Sequence, residues 1–293
     1  EAIKQLFQRH KPEIVFHLAA QPLVMYSYKN PVETYNTNVM GTLHVLEGIR
    51  SVDSVRAAVM ITTDKCYENK EWVWGYREND ALGGHDPYSS SKGAAELLIA
   101  SYRVSFFPED NFEEHRTAIA SARAGNVIGG GDWADDRLIP DIICAFQNGE
   151  NVNIRSPNAT RPWQHVLEPL CGYLKLAEKL YYDNTKKYTG SWNFGPNKRN
   201  NLKVKEIALI GKKILSSSSR IIIKKKKFYE SENLSLDSSK SLKFLRWKTQ
   251  MSDEEALKMT FDWFKFFYNK ITRKNIIEFT FNQIKYFKKE TNF

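Results

Sequence analysis

The sequence predicts an α/β protein built on a doubly wound parallel sheet, with helices on both faces of the sheet. Three observations predict this fold. Short apolar runs recur along the first half of the chain, segments with apolar residues at helical spacing separate them, and polar or small residues follow each run. Continuous apolar runs are typical of parallel strands that are buried on both faces. Polar groups after such strands mark the carboxyl edge of the sheet, where doubly wound proteins bind their ligands.

The first half of the chain supplies the main strands. They are predicted at residues 13–18, 56–61 and 117–123. The residues that follow them are, in turn, Ala19-Ala20, Thr62-Thr63-Asp64-Lys65 and the stretch from Gly125 to Gly131. Amphipathic spacing predicts helices at 32–50 and 89–106, and residues 1–8 read as the end of a helix already under way.

The second half continues the alternation of helices and strands. Helices are predicted at 138–146, 167–182, 204–215, 237–245 and 253–267, and strands at 151–155, 190–194 and 221–223, with a loop at 216–220. Ser252 is a good helix start, because its hydroxyl can cap the helix and three acids follow it at the positive end of the dipole.

A tyrosine and a lysine spaced four residues apart are the most informative pair of side chains. In Tyr88-Ser-Ser-Ser-Lys92 both residues share one face of the predicted helix, so the ammonium can lie beside the phenol. A cation there favours the phenolate and brings the pKa of the tyrosine from about 10 toward neutrality, where it can act as a base. On its own this spacing is more often that of a solvated helix face, on which the tyrosine packs and the lysine extends to water.

Taken with its flanking segments, the chain resembles the extended short-chain dehydrogenase/reductase family and, within it, the nucleotide-sugar 4,6-dehydratases. The stretches that carry the resemblance are His17-Leu-Ala-Ala20, Asn38-Val-Met-Gly-Thr42, Thr62-Thr-Asp-Lys-Cys-Tyr67, Tyr88 to Lys92, Arg123 to Trp133 and Arg161 to Val166. The resemblance runs from residue 1 to the region of Gln283. It implies a Rossmann-like fold, NAD as cofactor, a nucleotide-sugar substrate and a homodimer paired through the helices at 32–50 and 89–106.

The family chemistry implies roles for five residues. Tyr88 takes the proton of the sugar 4-hydroxyl, Lys92 lowers the pKa of the tyrosine and contacts the nicotinamide ribose, and Thr62 donates a hydrogen bond to the same sugar oxygen. Asp64 and Lys65 are the expected acid and base for eliminating water. Many relatives carry Asp-Glu at this point, and Asp-Lys is typical of the subgroup that acts on CDP-glucose. Lys65 then serves either as a deprotonated base or by stabilising the enolate, and a plain ion pair at the strand end is the alternative.

The resemblance also implies two sets of binding residues. The cofactor-binding set is Leu18, Ala19, Ala20, Asn38, Thr62, Tyr88 and Lys92. The substrate-binding set is Gln21, Asn126, Arg137, Arg161 and His165. Each arginine is equally consistent with a surface position, and a single histidine is more often structural than catalytic. We expect residues 1–134, with 165–195, to form a partial NAD-binding domain, and 135–164 with 196–285 to form a smaller substrate-binding lobe.

The chain departs from the family at its start. The opening strand and the glycine-rich turn that meets the cofactor pyrophosphate do not occur in the sequence, and Gly129-Gly130-Gly131 lacks the required spacing. We therefore expect a fragment lacking about 60 residues, in which the strand at 13–18 presents an open edge.

Composition is that of a water-soluble enzyme. Hydrophobic residues make up 42% of the chain, and no apolar stretch reaches the length of a membrane helix. The net charge is +9, with a lysine run at 224–227, and solvated lysines explain this excess more simply than nucleic-acid binding. The six histidines and three cysteines show no metal-ligand spacing, so we expect no metal. A cytoplasmic location follows from the expected chemistry.

Three functions remain open at this point. The first is dehydration of CDP-glucose, in the formation of deoxysugars for bacterial surface polysaccharide such as the lipopolysaccharide O-antigen. The second is another nucleotide-sugar dehydratase or a 4-epimerase on the same scaffold. The third is an inactive remnant that lacks the glycine-rich cofactor loop.

Overall fold

The computed structural model describes residues 1–161, 163–183, 187–196, 202–224, 233–269 and 272–291. Its elements are, in chain order, α1 (Ala2–His10), β1 (Ile14–His17), α2 (Val24–Lys29), α3 (Pro31–Tyr35), α4 (Gly41–Arg50), β2 (Ala57–Ile61), α5 (Pro87–Ser105), α6 (Phe112–His115), β3 (Ala118–Ala124), β4 (Val127–Ile128), α7 (Leu138–Gln147), β5 (Val152–Ile154), β6 (Gln164–His165), α8 (Leu167–Tyr182), β7 (Gly190–Phe194), α9 (Val204–Ile214), β8 (Ile221–Ile223), α10 (Ser239–Leu245), α11 (Asp253–Tyr268) and α12 (Arg273–Thr291). Most of the lysine run at 224–227 lies outside the described residues.

The chain divides into two compact units. The first unit comprises Glu1–Ala124, Gly172–Phe194 and Leu236–Trp247, and the second comprises Gly125–Cys171, Gly195–Ser235 and Lys248–Phe293. Three segments and the single residue Gly195 therefore lie in the other unit from the one expected, and the segments are 125–134, 165–171 and 236–247. Residues 125–134 and 165–171 belong to the second unit because β4 pairs with β6 in a small sheet there. The third changes because α10 packs on β7 and Trp247 packs on Phe194.

The first unit contains a parallel four-stranded sheet in the order β1-β2-β3-β7. Its two inner strands consist mostly of alanine and β-branched residues, and β3 is buried along its whole length. Small side chains on both faces let helices pack close to the sheet. The predicted strands at 13–18, 56–61, 117–123 and 190–194 are confirmed, and the parallel α/β fold with them. Among the described residues β1 is an outer strand, and Ile14 at its start is 43% exposed.

The predicted helix at 32–50 is interrupted by a π turn. Residues Asn36–Met40 form this turn between α3 and α4, and the amide of Gly41 bonds to the carbonyl of Asn36. Asn38 is buried within it. The other long helix of this unit, α5, begins at Pro87 with Asp86 as its cap, because the carboxylate accepts from the Ser89 amide at 2.9 Å.

The second unit has its own core and two short parallel sheets, β4 with β6 and β5 with β8. Residues of α7, α9 and α11 form its core, including the fully buried Ile142, Ile207, Phe261 and Phe264. The helices predicted at 138–146, 204–215 and 253–267 are confirmed. No helix in the described part of the chain is both long and apolar enough to cross a membrane.

One helix of the second unit was not predicted. Helix α12 packs against α11, where Phe266 stacks on Phe279 at 4.3 Å between ring centroids and Trp263 donates to Thr280 at 2.8 Å. The apolar residues of α12 occur among many lysines and polar residues. The position of α12 depends on tertiary contacts with α11, which cannot be recognised from the local sequence.

We expect Gly172→Ala to lower the free energy of unfolding by about 1–3 kcal/mol, because an added methyl group would overpack the core. A Cβ at this position would lie 2.4 Å from the Phe194 ring and 3.0 Å from Nε1 of Trp247. The control is Gly41→Ala, where the nearest atom is 3.9 Å away. Urea unfolding measures both variants, and equal stability of the two would contradict the packing described.

Candidate active site

Tyr88 and Lys92 lie on the first turns of α5, on the face that packs inward. Both side chains are buried, at 7% and 5% exposure. The amide of Tyr88 donates to Oγ of Ser27 at 3.1 Å, which fixes the start of α5 against α2. The predicted pair is therefore held in the interior of the first unit, and not on a solvated helix face.

The ammonium of Lys92 reaches the carboxyl end of β2. Its Nζ donates to the carbonyl oxygen of Ile61 at 3.4 Å, and Ile61 is the residue before Thr62. Burial lowers the pKa of Lys92 to about 8, although Glu96 and Cys66 act in the opposite direction. An ammonium has three donors, so the single long bond leaves Lys92 with hydrogen-bonding capacity that a ligand hydroxyl can use.

The acid and the lysine predicted for elimination are neighbours in a short 3₁₀ turn after β2. Nζ of Lys65 lies 3.4 Å from Oδ1 of Asp64, and the Thr63 hydroxyl donates to the same oxygen at 2.9 Å. The Asp64 side chain is fully buried, whereas that of Lys65 is 25% exposed. The other carboxylate oxygen, Oδ2, is buried and has no hydrogen-bond partner among the described residues. One oxygen of Asp64 is thus held by the protein, and the other is a buried acceptor without a partner among the described residues.

The hydroxyl of Thr62 donates to the carboxylate of Glu96 on α5. A hydroxyl carries a single proton. In this arrangement Thr62 presents lone pairs to any group on its other side, whereas the role predicted for it requires its proton to face the sugar. That predicted role remains untested.

Glu96 and Arg123 form a buried ion pair that was not predicted. Nη2 of Arg123 lies 2.7 Å from Oε2 of Glu96, and the two side chains are 3% and 2% exposed. The Ser121 hydroxyl donates to the same carboxylate oxygen at 2.8 Å. Burial raises the pKa of Glu96, but Arg123 and the hydroxyl donors outweigh burial and bring the pKa below its usual range. Glu96 is therefore ionised at neutral pH.

Arg123 connects this pair to the rest of the first unit. Its Nη1 donates to the Tyr67 hydroxyl at 2.8 Å, and that hydroxyl donates to Asn193 on β7 at 2.7 Å. Burial raises the pKa of Tyr67 well above its usual value, so the phenol stays neutral. Two sequence signals point to this network in hindsight. Glu96 stands one helical turn beyond Lys92, and Arg123 is the charged residue in a strand that is otherwise apolar except for Ser121.

Gln21 and Asn38, both predicted to touch ligands, use their amide groups inside the protein. Oδ1 of Asn38 accepts from the backbone N–H of Gln21 at 2.8 Å, and Nδ2 of Asn38 donates to the Ser91 hydroxyl at 2.8 Å. The side chain of Gln21 donates to Thr34 at 2.8 Å and accepts from the Leu23 amide at 2.6 Å. Asn38 thus joins the loop after β1 to α5, and Gln21 joins the same loop to α3. Of the other residues in that loop, Leu18 is 54% exposed, and Ala19 and Ala20 follow it.

The remaining predicted substrate contacts lie in the second unit. Arg137 pairs with Asp132 at 2.8 Å, and Nη1 of Arg161 donates to the Thr160 carbonyl at 2.8 Å. The carbonyl of Asn126 accepts from the Gln164 amide at 3.0 Å where β4 meets β6. His165 is 3% exposed, and its Nε2 has no hydrogen-bond partner in the described part of the chain. The substrate-binding role of these residues stays a prediction.

The described residues contain no group of three or more histidine, cysteine or acidic side chains placed to hold a metal ion. The first unit instead brings Tyr88, Lys92, Thr62, Asp64 and Lys65 to the carboxyl end of β2 and the start of α5. A buried phenol, a lysine of lowered pKa and a carboxylate with one unpartnered oxygen are suited to moving protons on a bound sugar.

This fold and this arrangement define a member of the extended short-chain dehydrogenase/reductases, as the sequence motifs indicated. More narrowly, residues 1–260 match the family model described as GDP-mannose 4,6 dehydratase, and the chain belongs to that family. It is 49% identical over 269 residues to CDP-glucose 4,6-dehydratase of Salmonella typhimurium. The matched region covers 90% of this chain and 74% of that protein. It is 27% identical over 164 residues to dTDP-D-glucose 4,6-dehydratase of Dictyostelium discoideum, covering 53% of this chain and 35% of the relative.

Solved structures share the fold at lower identity. UDP-glucose 4-epimerase of Thermotoga maritima superimposes with a TM-score of 0.77 at 23% identity, covering 91% of this chain and 82% of that one. UDP-glucuronic acid 4-epimerase of Bacillus cereus, in complex with UDP-glucuronic acid and NAD, gives a TM-score of 0.76 at 21% identity, with coverage of 92% and 79%.

We expect acidification to destabilise the protein partly through His165. Burial lowers its pKa from 6.5 to about 4. The unfolded chain therefore binds a proton that the native state excludes, and stability is lost as the pH falls from about 6.5 toward 4. Between pH 7 and pH 5 this histidine accounts for a loss of about 2 kcal/mol. Urea unfolding at both values should show a smaller pH-dependent loss for His165→Gln than for the parent.

The control for this experiment is His10→Gln, because His10 is exposed on α1. That variant should keep the full pH dependence of the parent. An undiminished loss of stability in His165→Gln would show that the buried imidazole is not the source of the acid sensitivity. His17, whose pKa burial and Lys92 lower to about 4, remains in both variants and contributes equally to each.

Proposed function

We propose that this protein catalyses the NAD-dependent dehydration of CDP-glucose to CDP-4-dehydro-6-deoxyglucose. The observation that carries the proposal is the 49% identity to a CDP-glucose 4,6-dehydratase over 90% of the chain. The chain also keeps the Asp64-Lys65 pair that the sequence indicates for this subgroup. The product is a precursor of deoxysugars of bacterial surface polysaccharide, and a cytoplasmic location stays a prediction.

The residues around Lys92 fit a dinucleotide cofactor. Lys92 is buried and has unused donors that suit the hydroxyls of a nicotinamide ribose. The loop after β1 contains the small residues Ala19 and Ala20, which let a ligand approach the backbone. When bound, NAD supplies the acceptor for hydride from C4 of the sugar and the donor of hydride to C6.

In the oxidation half of the reaction, Tyr88 takes the proton of the sugar 4-hydroxyl. Lys92, four residues along the same helix, stabilises the phenolate that accepts this proton. Thr62 contacts the same hydroxyl and limits its orientation. The three side chains come from the carboxyl end of β2 and the first turns of α5, which are rigid elements that keep them in register.

In the elimination half, Asp64 and Lys65 act on neighbouring carbons. The ketone at C4 makes the C5 proton acidic. Lys65 removes this proton as a neutral amine, and the ammonium that forms stabilises the enolate. Asp64 delivers a proton to the C6 hydroxyl, which leaves as water. Oδ2 suits this role because it is buried and faces no protein donor among the described residues, whereas Oδ1 is held by Lys65 and Thr63.

A homodimer is part of the proposal. Val32, at the start of α3, and Leu97 and Val104, seven residues apart on α5, are 73%, 63% and 72% exposed. Residues seven apart share one face of a helix. Large apolar side chains exposed on the two helices that pair in this family support a second copy as their partner.

The test is incubation of the purified enzyme with CDP-glucose and NAD. The 4-keto-6-deoxy product is followed by its absorbance in base. Product from CDP-glucose, and much less from GDP-mannose or UDP-glucose, supports the proposal. NAD binding without product from CDP-glucose would overturn it in favour of another nucleotide sugar or a 4-epimerase, and 4-epimers are sought in the same samples by chromatography.

We expect Tyr88→Phe to abolish turnover, with a fall in kcat of at least about a hundredfold, because the ring is kept and the proton acceptor is lost. The control is Tyr102→Phe on the same helix, where the hydroxyl donates only to Glu47 at 2.9 Å. This variant should keep parental turnover. Near-parental turnover by Tyr88→Phe would refute the role of the phenol.

We expect Lys65→Ala to block the loss of water while leaving the oxidation at C4 intact. The 4-keto-glucose sugar should then accumulate together with reduced nicotinamide, which is measured by absorbance in a single turnover. An epimerase needs no elimination pair, so full activity in Lys65→Ala would contradict a dehydratase. Lys70→Ala is the control, because Lys70 lies on an exposed loop and pairs with the exposed Glu68 at 3.4 Å.

A further inference from the structure

The ion pair of Glu96 and Arg123 is more deeply buried than stability requires. Both side chains are almost fully removed from solvent. Taking two charges out of water costs free energy that their attraction only partly offsets, so packed apolar residues at such sites are often as stable or more stable. The contacts of Glu96 on the side away from Arg123 indicate a second role.

The first of these contacts is the Thr62 hydroxyl. Thr62 donates to Oε1 of Glu96, while Oε2 accepts from Arg123 and Ser121. A charged acceptor makes a stronger hydrogen bond than a neutral one. Because Glu96 is itself held on its other oxygen, it fixes the rotation of the Thr62 side chain and the direction of its proton.

The second contact is electrostatic and reaches Lys92. The titratable groups that interact electrostatically with this ammonium are His17 on β1, Cys66 after β2 and Glu96 on α5, and Tyr88 lies one turn before it on the same helix. Burial keeps the thiol of Cys66 and the ring of His17 neutral at pH 7, since it raises the pKa of the one and lowers that of the other. Among these groups Glu96 is the carboxylate, and its negative charge opposes the loss of a proton from Lys92.

We propose that Glu96 is a positioning residue for the reaction, which orients Thr62 and keeps Lys92 charged, with Arg123 as the counter-ion that keeps Glu96 ionised. This inference rests on the proposed function, because Thr62 and Lys92 are the groups that touch substrate and cofactor there. Glu96 itself touches neither ligand. The buried charge of Glu96 thus fixes the Thr62 hydroxyl and keeps the Lys92 ammonium protonated at the end of β2.

The test is the pH profile of Glu96→Gln. Loss of the carboxylate should lower kcat roughly ten- to hundredfold, with a smaller change in the KM for the sugar nucleotide, because orientation is lost and not binding. Removing a negative charge also lowers the pKa of Lys92, so the alkaline limb of kcat should move to lower pH by about one unit. A parental alkaline limb in a folded Glu96→Gln enzyme would overturn the proposal.

Two further variants separate this role from a purely structural one. Glu78→Gln removes another carboxylate near Arg123, one that accepts from the Asn193 amide at 2.9 Å and has no bond to Thr62. It should leave kcat and the alkaline limb unchanged. Glu96→Gln with Arg123→Met removes both charges, so that no unpaired cation remains buried. This double variant should fold and still show the lowered kcat and the shifted limb, whereas recovery of parental values would overturn the proposal.

A second readout makes the inference independent of turnover. The affinity for NAD is measured by calorimetry from pH 6 to pH 10. As the pH is raised, the affinity should begin to decrease at a lower pH in Glu96→Gln than in the parent, because Lys92 loses its proton at a lower pH in the variant. If the parent binds NAD but forms no product from CDP-glucose, the proposed function fails and this comparison still decides the role of Glu96. Coincident affinity profiles would overturn the role.

Discussion

The buried contact between Glu96 and Arg123 is the interaction on which the arrangement of the first unit depends. Arg123 is on β3 and Glu96 is on α5. Glu96 also accepts from Thr62 at the end of β2, and Ser191 on β7 contacts both members of the pair. A charge placed there must be matched on all sides, because an unmatched one would cost several kcal/mol. The strands and the helix are therefore held in one relative position.

The alanine-rich strands make this interior ion pair possible. Residues of β2 and β3 are almost all buried and small, so α5 approaches the sheet closely enough for a carboxylate on the helix to reach a guanidinium on a strand. The same closeness removes water from Lys92, whose pKa falls as a result. Close packing and the chemistry of the site thus have a common origin in side-chain size.

Much of the first unit followed from the sequence, because its signals are local. Apolar runs marked the four strands, and the spacing from Tyr88 to Lys92 placed both residues on one buried helix face. The hydrogen bonds of Gln21 and Asn38 were out of reach, since amides that bind ligands and amides that tie loops look alike in sequence. Helix α12 and the Glu96 ion pair depend on partners distant in the chain, 27 residues away in the case of Arg123.

The π turn at Asn36–Met40 limits the changes in length that this helical stretch can tolerate. A π turn holds one more residue than a regular α-helical turn, because its hydrogen bonds join residues five apart and not four. Here the widened turn points Asn38 inward, where it joins the loop after β1 to Ser91. Deleting one codon in this stretch would restore a regular helix and turn Asn38 away by about a quarter of a revolution. The number of residues in this stretch is therefore constrained as well as their identity.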